Sequence, residues 1–341
     1  MLRFDEIIDA SAIPEWDSLA SCHGREQVLM FDLETTGLTP KSAFIYIIGV
    51  NLWMDGAWHI LQLFNDDGRS EPEMIRCFMD LCRDRSILFH FNGDTFDIPF
   101  VHGRMDKISH SLGERIPDAM GSLTSMDLLK EIRPFKYALG LPNVKQKTVE
   151  QYLGIHREDQ YNGGQLIHVY LSFLSSGSRR NRDLVLLHNR DDMEGMFHLA
   201  RMHALTALAG GEFTIGAPYM QEQGKLLSLT FPLSMNQRLP QPLVTTGCGT
   251  TLKGEDDHGS LTLPVYRMDA ECRITKELSS GFFLPAFGYE GVTNYLDPEH
   301  RKVCLVAAGD SLLGDGDRLH SYISCVVQSL MKQNGGHKKN T

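Results

Sequence analysis

The sequence lacks the features that mark secreted, zinc-binding and membrane-spanning proteins. Its seven cysteines are widely spread and include no C-x-x-C pair, so we expect free thiols and no zinc site. The longest uncharged apolar stretch, residues 44–53, is too short to span a bilayer. The first ten residues, "MLRFDEIIDA", lack the basic and apolar segments of a signal peptide. These absences together predict a cytoplasmic protein.

An excess of basic residues is also missing. The chain has 33 Lys and Arg against 43 Asp and Glu, which gives a net charge of −10. This balance argues against a protein that coats nucleic acid through bulk positive charge. It is compatible with an enzyme that contacts a few phosphates through local basic groups and metal ions.

The apolar pattern divides the 341 residues into two parts, in line with a usual domain size of about 150 residues. In the first part, residues 26–208, strand patterns surround one helix pattern and are followed by further helix patterns. These strand patterns cover residues 28–34, 44–53, 57–64 and 86–91, with a weaker one at 122–129. The order predicts an α/β fold in which helices flank a mixed sheet.

Residues 209–333 form the second part, which we expect to be a smaller β-rich (α+β) C-terminal domain of unknown role. Its acid-bearing stretch "LKGEDDHG" (252–259) is typical of a turn. Residues 317–332 follow helix spacing, with Asp315 or Asp317 as a candidate cap. We expect residues 1–25 to form an N-terminal arm and residues 334–341 to form a flexible tail.

Two acids in the strand pattern "VLMFDLE" (28–34) indicate where chemistry could occur. Asp32 and Glu34 are two residues apart, so their side chains point to the same face of the strand. Two carboxylates this close repel each other unless a cation lies between them. A single D-x-E pattern is common by chance, however, and would usually be two surface acids at a strand end.

Two further segments strengthen the interpretation of a metal site. Asp97 follows a strand and an Asn-Gly turn, although an Asp at this position is also a frequent helix cap. His188 and Asp192 are four residues apart on a predicted helix and share one face, which could equally be a solvated face. With Asp32 and Glu34, the two aspartates supply the oxygen ligands that Mg²⁺ or Mn²⁺ prefers. A pair of such ions about 4 Å apart can assist an in-line phosphoryl displacement.

Three segments, taken in order, resemble the motifs of a known family. "FDLETTGL" (31–38), "FNGDTFDIPF" (91–100) and "HNRDDM" (188–193) are similar to the three motifs of the DEDD-type 3′–5′ exonucleases of the ribonuclease-H-like superfamily. The closest resemblance is to its YprB-like ribonuclease-H-like branch, over about residues 27–206. It implies a ribonuclease-H-like fold and a nuclease that hydrolyses phosphodiester bonds at nucleic-acid ends with two Mg²⁺ or Mn²⁺ ions.

Carried over by position, the resemblance assigns the metal ligands to Asp32, Glu34, Asp97 and Asp192. His188 falls where such enzymes place a residue that orients or deprotonates the attacking water. The histidine subtype usually has its His five residues before the last Asp, whereas His188 is four residues before, at the spacing of the tyrosine subtype. Asp191 is a second, lower-ranked candidate for the fourth ligand.

The same resemblance implies contacts with a single-stranded or frayed nucleic-acid end. The residues at the corresponding positions are Thr35, Thr36, Gly37 and Leu38. Asn92, Phe96 and Phe100 could also approach the substrate, although the two phenylalanines are more often core residues. Basic residues at 130–137, 145–147 and 179–182, with Arg190, could bind phosphates, and solvated helix ends explain each of them equally well. A catalytically silent module that binds nucleic acid or protein is the alternative function, and endonuclease action on structured substrates is a third hypothesis.

Overall fold

A computed structural model describes residues 1–8, 24–155, 157, 161, 163–223, 226–247, 249–268, 281–284, 303–306 and 314–332. The chain forms two compact units. The first comprises Met1–Lys130 and Lys145–Arg201, and the second comprises Glu131–Val144 and Met202–Thr341. The segment Glu131–Val144 thus groups with the C-terminal part, which the sequence pattern does not indicate. The expected tail, residues 334–341, lies outside the described residues.

A six-stranded mixed sheet forms the centre of the first unit, in the strand order β1-β4-β3-β2-β5-β6. The strands are β1 (Leu2–Ile8), β2 (Val28–Thr35), β3 (Ile45–Met54), β4 (Ala57–Phe64), β5 (Ile87–His90) and β6 (Thr124–Asp127). β2, β5 and β6 run parallel, and the other pairs are antiparallel. β3 and β4 meet at Asp55 and Gly56, whose φ angles of 51° and 81° suit a two-residue hairpin turn.

Helices cover both faces of this sheet. They are α1 (Glu71–Cys82), α2 (Asp97–Leu112), α3 (Leu128–Ile132), α4 (Gln146–Tyr152), α5 (Gly163–Ser176) and α6 (Arg179–Leu199). One apolar cluster joins Leu29, Phe31 and Leu33 of β2 to α1 and α2. A second cluster joins Tyr46 and Phe64 to α5 and α6. Because side chains alternate along a strand, Asp32 and Glu34 point away from the first cluster.

The pairing of β2 changes halfway along the strand. β5 pairs only with Val28–Met30, whereas β3 pairs with β2 from Leu29 to Thr35. The half of β2 that carries both acids is therefore not paired with β5. The chain leaves β5 at His90 and begins α2 at Asp97, so the short connection between them brings a third acid close to this part of β2.

The second unit is rich in β-structure, as expected. It contains α7 (His203–Ala209), β7 (Phe213–Ile215), β8 (Tyr219–Gln223), β9 (Leu226–Met235), β10 (Leu243–Gly247), β11 (Thr250–Glu255), β12 (His258–Met268), β13 (Gly281–Leu284), β14 (Val303–Val306) and α8 (Gly316–Met331). The strands form one eight-stranded sheet. The side chain of Asp315 accepts a hydrogen bond from the backbone N–H of Arg318 and caps α8. The fold is thus a ribonuclease-H-like α/β unit followed by a β-rich C-terminal unit.

Two segments differ from the expectations. Residues 1–25 were expected to form an arm, but Leu2–Ile8 pairs with β4 as an edge strand of the first sheet. The stretch 252–259 was expected to be a turn, but Leu252–Glu255 belongs to β11 and His258 begins β12, so the turn is confined to Asp256 and Asp257. Exposed charged residues lie in both β1 (Arg3, Asp5 and Glu6) and β11 (Lys253 and Glu255). Within the described part of the chain, no helix is long and apolar enough to cross a membrane.

Candidate metal centre

Asp32 lies in the middle of β2, opposite Gly49 of β3. The missing side chain at Gly49 leaves room for Asn189 of α6, whose Nδ2 donates a 3.2 Å hydrogen bond to Oδ2 of Asp32. The Oδ1 atom of Asn189 in turn accepts a hydrogen bond of 2.9 Å from Nε2 of Gln62. This chain of hydrogen bonds fixes the orientation of the Asp32 carboxylate.

Glu34 is buried, with 8% of its surface exposed. Its Oε2 accepts a 3.2 Å hydrogen bond from the hydroxyl of Tyr46. Tyr46 is an extra residue in β3, because Glu34 pairs with Ile47 and Thr35 with Ile45, and such a bulge can redirect a side chain. Burial raises the pKa of Glu34 to about 7, while the proximity of His188 acts in the opposite direction.

Asp97 is the first residue of α2 and is 5% exposed. Its carboxylate accepts hydrogen bonds from its own backbone N–H and from that of Leu33, which lies beyond the pairing with β5. Burial nevertheless raises the pKa of Asp97 to about 7. Asp97 lies close to β2 through its bond to Leu33, and it does not cap α2, because the N-cap position is Phe96 and makes no side-chain capping hydrogen bond.

His188 and Asp192 lie one turn apart on α6, as their spacing predicts. Nε2 of His188 is 3.3 Å from Oδ2 of Asp192 and 3.5 Å from Oε1 of Glu34. One potential ligand atom from each of these three residues lies within 4.8 Å of the others. Asp32 and Asp97 are not part of this group, and neither is the buried Asp191.

The four acids influence each other strongly. Burial first, and then the negative charges of Asp192, Asp97 and Glu34, raise the pKa of Asp32 well above its ordinary value. Carboxylates in this arrangement are unfavourable without a compensating cation. The carboxylate oxygens of these four acids therefore fit Mg²⁺ or Mn²⁺.

Among the described residues, a second group of potential ligands lies close together, namely His90, Asp94 and Asp127. Nδ1 of His90 accepts the backbone N–H of Gly93 at 3.0 Å, so Nε2 carries the ring proton and donates to Oγ of Ser125 at 2.8 Å. Both ring nitrogens are thus engaged, and burial lowers the pKa of His90, which favours its neutral form. The group does not fit a metal site, because the imidazole has no lone pair left.

This second group instead holds the connection between β5 and α2. Oδ1 of Asp127 accepts hydrogen bonds from the backbone N–H groups of Asn92 (2.9 Å) and Leu129 (3.0 Å). Asn92 has a φ of 68°, a left-handed conformation that is uncommon outside glycine. Asp127 therefore fixes the segment that leads into Asp97.

The residues expected to contact a nucleic-acid end occupy two turns. Thr35 and Thr36 are held by hydrogen bonds, from Thr35 Oγ1 to the Gly37 carbonyl (2.8 Å) and from Thr36 N–H to the Phe44 carbonyl (3.0 Å). Leu38 is 85% exposed, which is unusual for an apolar side chain so close to a buried strand. In the other turn, Asn92 is partly exposed.

Phe96 contacts Phe100, with ring centroids 5.5 Å apart, and remains partly exposed. Several of the basic candidates are paired with acids, among them Arg182, which donates hydrogen bonds to Oδ1 of Asp183 at 2.8 and 2.9 Å. Arg190 donates two hydrogen bonds to Glu6 of β1, at 2.8 and 2.9 Å, and Lys130 forms an ion pair with Asp94.

Sequence reasoning missed several residues that shape the site, notably Tyr46, Asn189, Glu150 and Arg157. The position of Asn189 next to His188 in the third motif was the one available sequence signal, and the structure shows that Asn189 is completely buried. Tyr46 reaches Glu34 only through the bulge, which the apolar pattern of β3 does not reveal. Arg157 lies on a loop after α4, and its ion pair with Asp192 depends on tertiary packing.

The sequence model of the RNase_H_2 family, described as RNase_H superfamily, matches residues 29–203, just over half of the 341 residues. The chain belongs to the RNase_H superfamily. The matched part of this RNase_H superfamily chain contains all five residues of the candidate metal centre, namely Asp32, Glu34, Asp97, His188 and Asp192.

Two DNA polymerases share a short stretch with this RNase_H superfamily protein. DNA polymerase 1 of Sulfurisphaera ohwakuensis is 34% identical over 93 residues, which cover 23% of this chain and 11% of the polymerase. The DNA polymerase of Ostreid herpesvirus 1 (isolate France) is 30% identical over 93 residues, which cover 27% of this chain and 4% of the polymerase. The chain therefore spans about a tenth or less of the length of these relatives.

Solved structures with detectable likeness include the family B DNA polymerase of Pyrobaculum calidifontis. That structure has a TM-score of 0.41 and 17% identity, covering 53% of this chain and 25% of the polymerase. The zinc-bound complex of E. coli ExoI with ssDNA has a TM-score of 0.28 and 15% identity, covering 64% of this chain and 53% of ExoI. At these values, neither likeness bears on the function of this RNase_H superfamily chain.

Proposed function

We propose that the protein is a metal-dependent nuclease that acts as a 3′–5′ exonuclease on single-stranded or frayed nucleic-acid ends. In this proposal it is a DEDD-type enzyme of the YprB-like branch within its superfamily. The observation that carries the proposal is the convergence of Glu34, His188 and Asp192 within 4.8 Å, beside the partly buried Asp32 and the buried Asp97.

Two Mg²⁺ or Mn²⁺ ions are the cofactors that this donor set suits best. Asp32 and Glu34 would be the central ligands, with Asp97 and Asp192 completing the site. When bound, such a pair of ions lowers the pKa of an attacking water and stabilises the leaving oxygen.

The protein's own side chains have separate tasks in this proposal. His188 is 6% exposed and, in its neutral form, accepts a proton from the attacking water through Nε2. Tyr46 and Asn189 hold the carboxylates of Glu34 and Asp32 in place, so that they need little reorganisation during the reaction. Leu38, exposed at the turn after β2, packs against the terminal nucleotide.

End-labelled oligonucleotides test this function directly. The protein should shorten a single strand labelled at its 5′ end in steps, with Mg²⁺ or Mn²⁺ present, and a phosphorothioate at the 3′ terminus should block it. Asp32→Ala should abolish the activity. Asp106→Ala, which removes an exposed acid from α2, is the matched control and should leave it unchanged.

Three results would contradict the proposal in different ways. Equal activity of the wild type and Asp32→Ala would exclude the metal centre as the active site. Cleavage of a circular single strand would indicate an endonuclease using the same ligands. A wild type that neither binds Mn²⁺ in calorimetry nor degrades any strand would favour the silent binding module.

A further inference from the structure

A largely buried arginine, Arg157, contacts one of the proposed metal ligands. Nη1 of Arg157 is 2.5 Å from Oδ1 of Asp192. The same guanidinium binds Glu150 of α4 through Nε and Nη2. The side chains of Arg157 and Glu150 are only 7% and 1% exposed, so this ion pair is shielded from solvent.

Further contacts fix the arginine's partner in place. Nε2 of Gln146 donates to Oε1 of Glu150 (3.0 Å) and to the backbone carbonyl of Asp192 (3.1 Å), which ties α4 to α6. Glu150 can approach α6 this closely because residue 195 is glycine. A Cβ at Gly195 would lie 2.3 Å from Oε1 of Glu150.

This arrangement distinguishes the two oxygens of Asp192. Oδ1 is engaged by Arg157, whereas Oδ2 lies 3.3 Å from Nε2 of His188, within the group that also contains Glu34. Because the ion pair with Arg157 occupies Oδ1, Oδ2 is the oxygen of Asp192 left to bind an ion.

We propose that Arg157, itself held by Glu150, is a positioning residue that presents a single oxygen of Asp192, Oδ2, to the metal centre. This inference rests on the proposed metal-dependent nuclease function. The planar guanidinium suits the task, because it can bind two carboxylates with separate N–H groups at fixed angles. Groups that orient a metal ligand in this way typically change metal affinity 10–100-fold when they are removed.

The main test measures Mn²⁺ binding to the full chain by titration calorimetry. Arg157→Met keeps the apolar part of the side chain and removes the guanidinium. We expect it to bind Mn²⁺ about 10–100-fold more weakly. In steady-state hydrolysis of a single strand, kcat should fall while KM for the strand stays the same.

A change in the opposite direction would overturn the inference. Tighter Mn²⁺ binding by Arg157→Met would show that the guanidinium only competes with the metal for Asp192. Unchanged binding would show that Arg157 serves packing alone.

Two further variants keep the test decisive if Arg157→Met does not fold. Arg157→Lys retains the charge but cannot bridge two carboxylates, so we expect a similar loss of Mn²⁺ affinity. Gly195→Ala alters no charge and displaces Glu150, so it should also weaken Mn²⁺ binding. Wild-type affinity in both variants would refute the positioning role.

Arg104 provides a matched control. It forms a buried pair with Glu71, with hydrogen bonds of 2.8 and 2.5 Å, and touches none of the proposed ligands. Arg104→Met should lower the thermal stability and leave Mn²⁺ binding unchanged. If the wild type itself fails to bind Mn²⁺, the proposed function is wrong; if it binds and the Arg157 variants bind equally well, only the positioning role is wrong.

Discussion

Replacing Glu34 by glutamine should stabilise the metal-free protein. Burial raises the pKa of Glu34 from 4.5 to about 7, which means that the folded state holds the proton more tightly than the unfolded state. Each pKa unit corresponds to about 1.4 kcal/mol, so ionised Glu34 lowers the free energy of unfolding by about 3 kcal/mol. Glutamine has nearly the same shape and can still accept the hydrogen bond from Tyr46, but it carries no charge.

The sign of the pH dependence follows from the raised pKa. Near pH 4 the carboxyl is largely protonated in both states, and the penalty is small. As pH rises from about 4.5 to about 7, the unfolded state loses its proton first, so the wild type loses stability. With a chelator present, Glu34→Gln should therefore be more stable than the wild type by about 3 kcal/mol at pH 8 and by less than about 1 kcal/mol at pH 5.

Urea unfolding followed by tryptophan fluorescence measures this difference, because Trp53 and Trp58 lie in β3 and β4 of the first unit. Adding Mn²⁺ should reverse the order, since a ligand that binds only the folded wild type stabilises it. Glu114→Gln changes an acid whose side chain is 74% exposed, and it should have an effect below about 0.5 kcal/mol at every pH. A chelated wild type that is more stable than Glu34→Gln at pH 8 would refute the reasoning.

Three other substitutions examine separate features. Gly49→Ala places a Cβ 2.5 Å from Oδ1 of Asn189. The free energy of unfolding in urea should therefore fall by about 1–3 kcal/mol, and calorimetry should show weaker Mn²⁺ binding. Leu38→Ala should raise KM for a single strand and leave the free energy of unfolding within about 0.5 kcal/mol of the wild-type value. A marked loss of stability would argue against a substrate contact. The hydrogen bond to Glu131 raises the pKa of His203, so its stabilising effect is complete below about pH 6.5 and is lost as pH rises through the raised pKa. In thermal unfolding of the second unit, His203→Asn should remove this pH dependence. Identical profiles of stability against pH for the wild type and His203→Asn would contradict the prediction.

The strands of the first sheet could be predicted because most of them are buried on both faces and read as apolar runs. The exception is β1, where Arg3, Asp5 and Glu6 interrupt the apolar residues. The side chains of β1 remain largely exposed at the sheet edge. The apolar sequence pattern that identifies buried strands therefore does not detect it. The pairing of Leu2–Ile8 with β4 joins residues that are at least 50 positions apart in the sequence.

The acids of the candidate site could be proposed from local spacing, since alternation along β2 and one helical turn in α6 place side chains on a common face. Their supporting residues could not. Asn189 reaches Asp32 because Gly49 opposes it in β3, and Arg157 reaches Asp192 from a loop. These contacts arise from the packing of α6 and α4 in the first unit, which periodicity along a single element does not encode.

The hydrogen bond between Asn189 and Asp32 spans 157 residues of chain, and this separation has a kinetic consequence. During synthesis, β2 and its two acids leave the ribosome long before α6 does. Until α6 packs, Asp32 and Glu34 can remain hydrated, so the unfavourable burial of the acids belongs to the late stage of folding. Metal ions recognise only the completed site, and they should therefore slow unfolding much more than they accelerate folding.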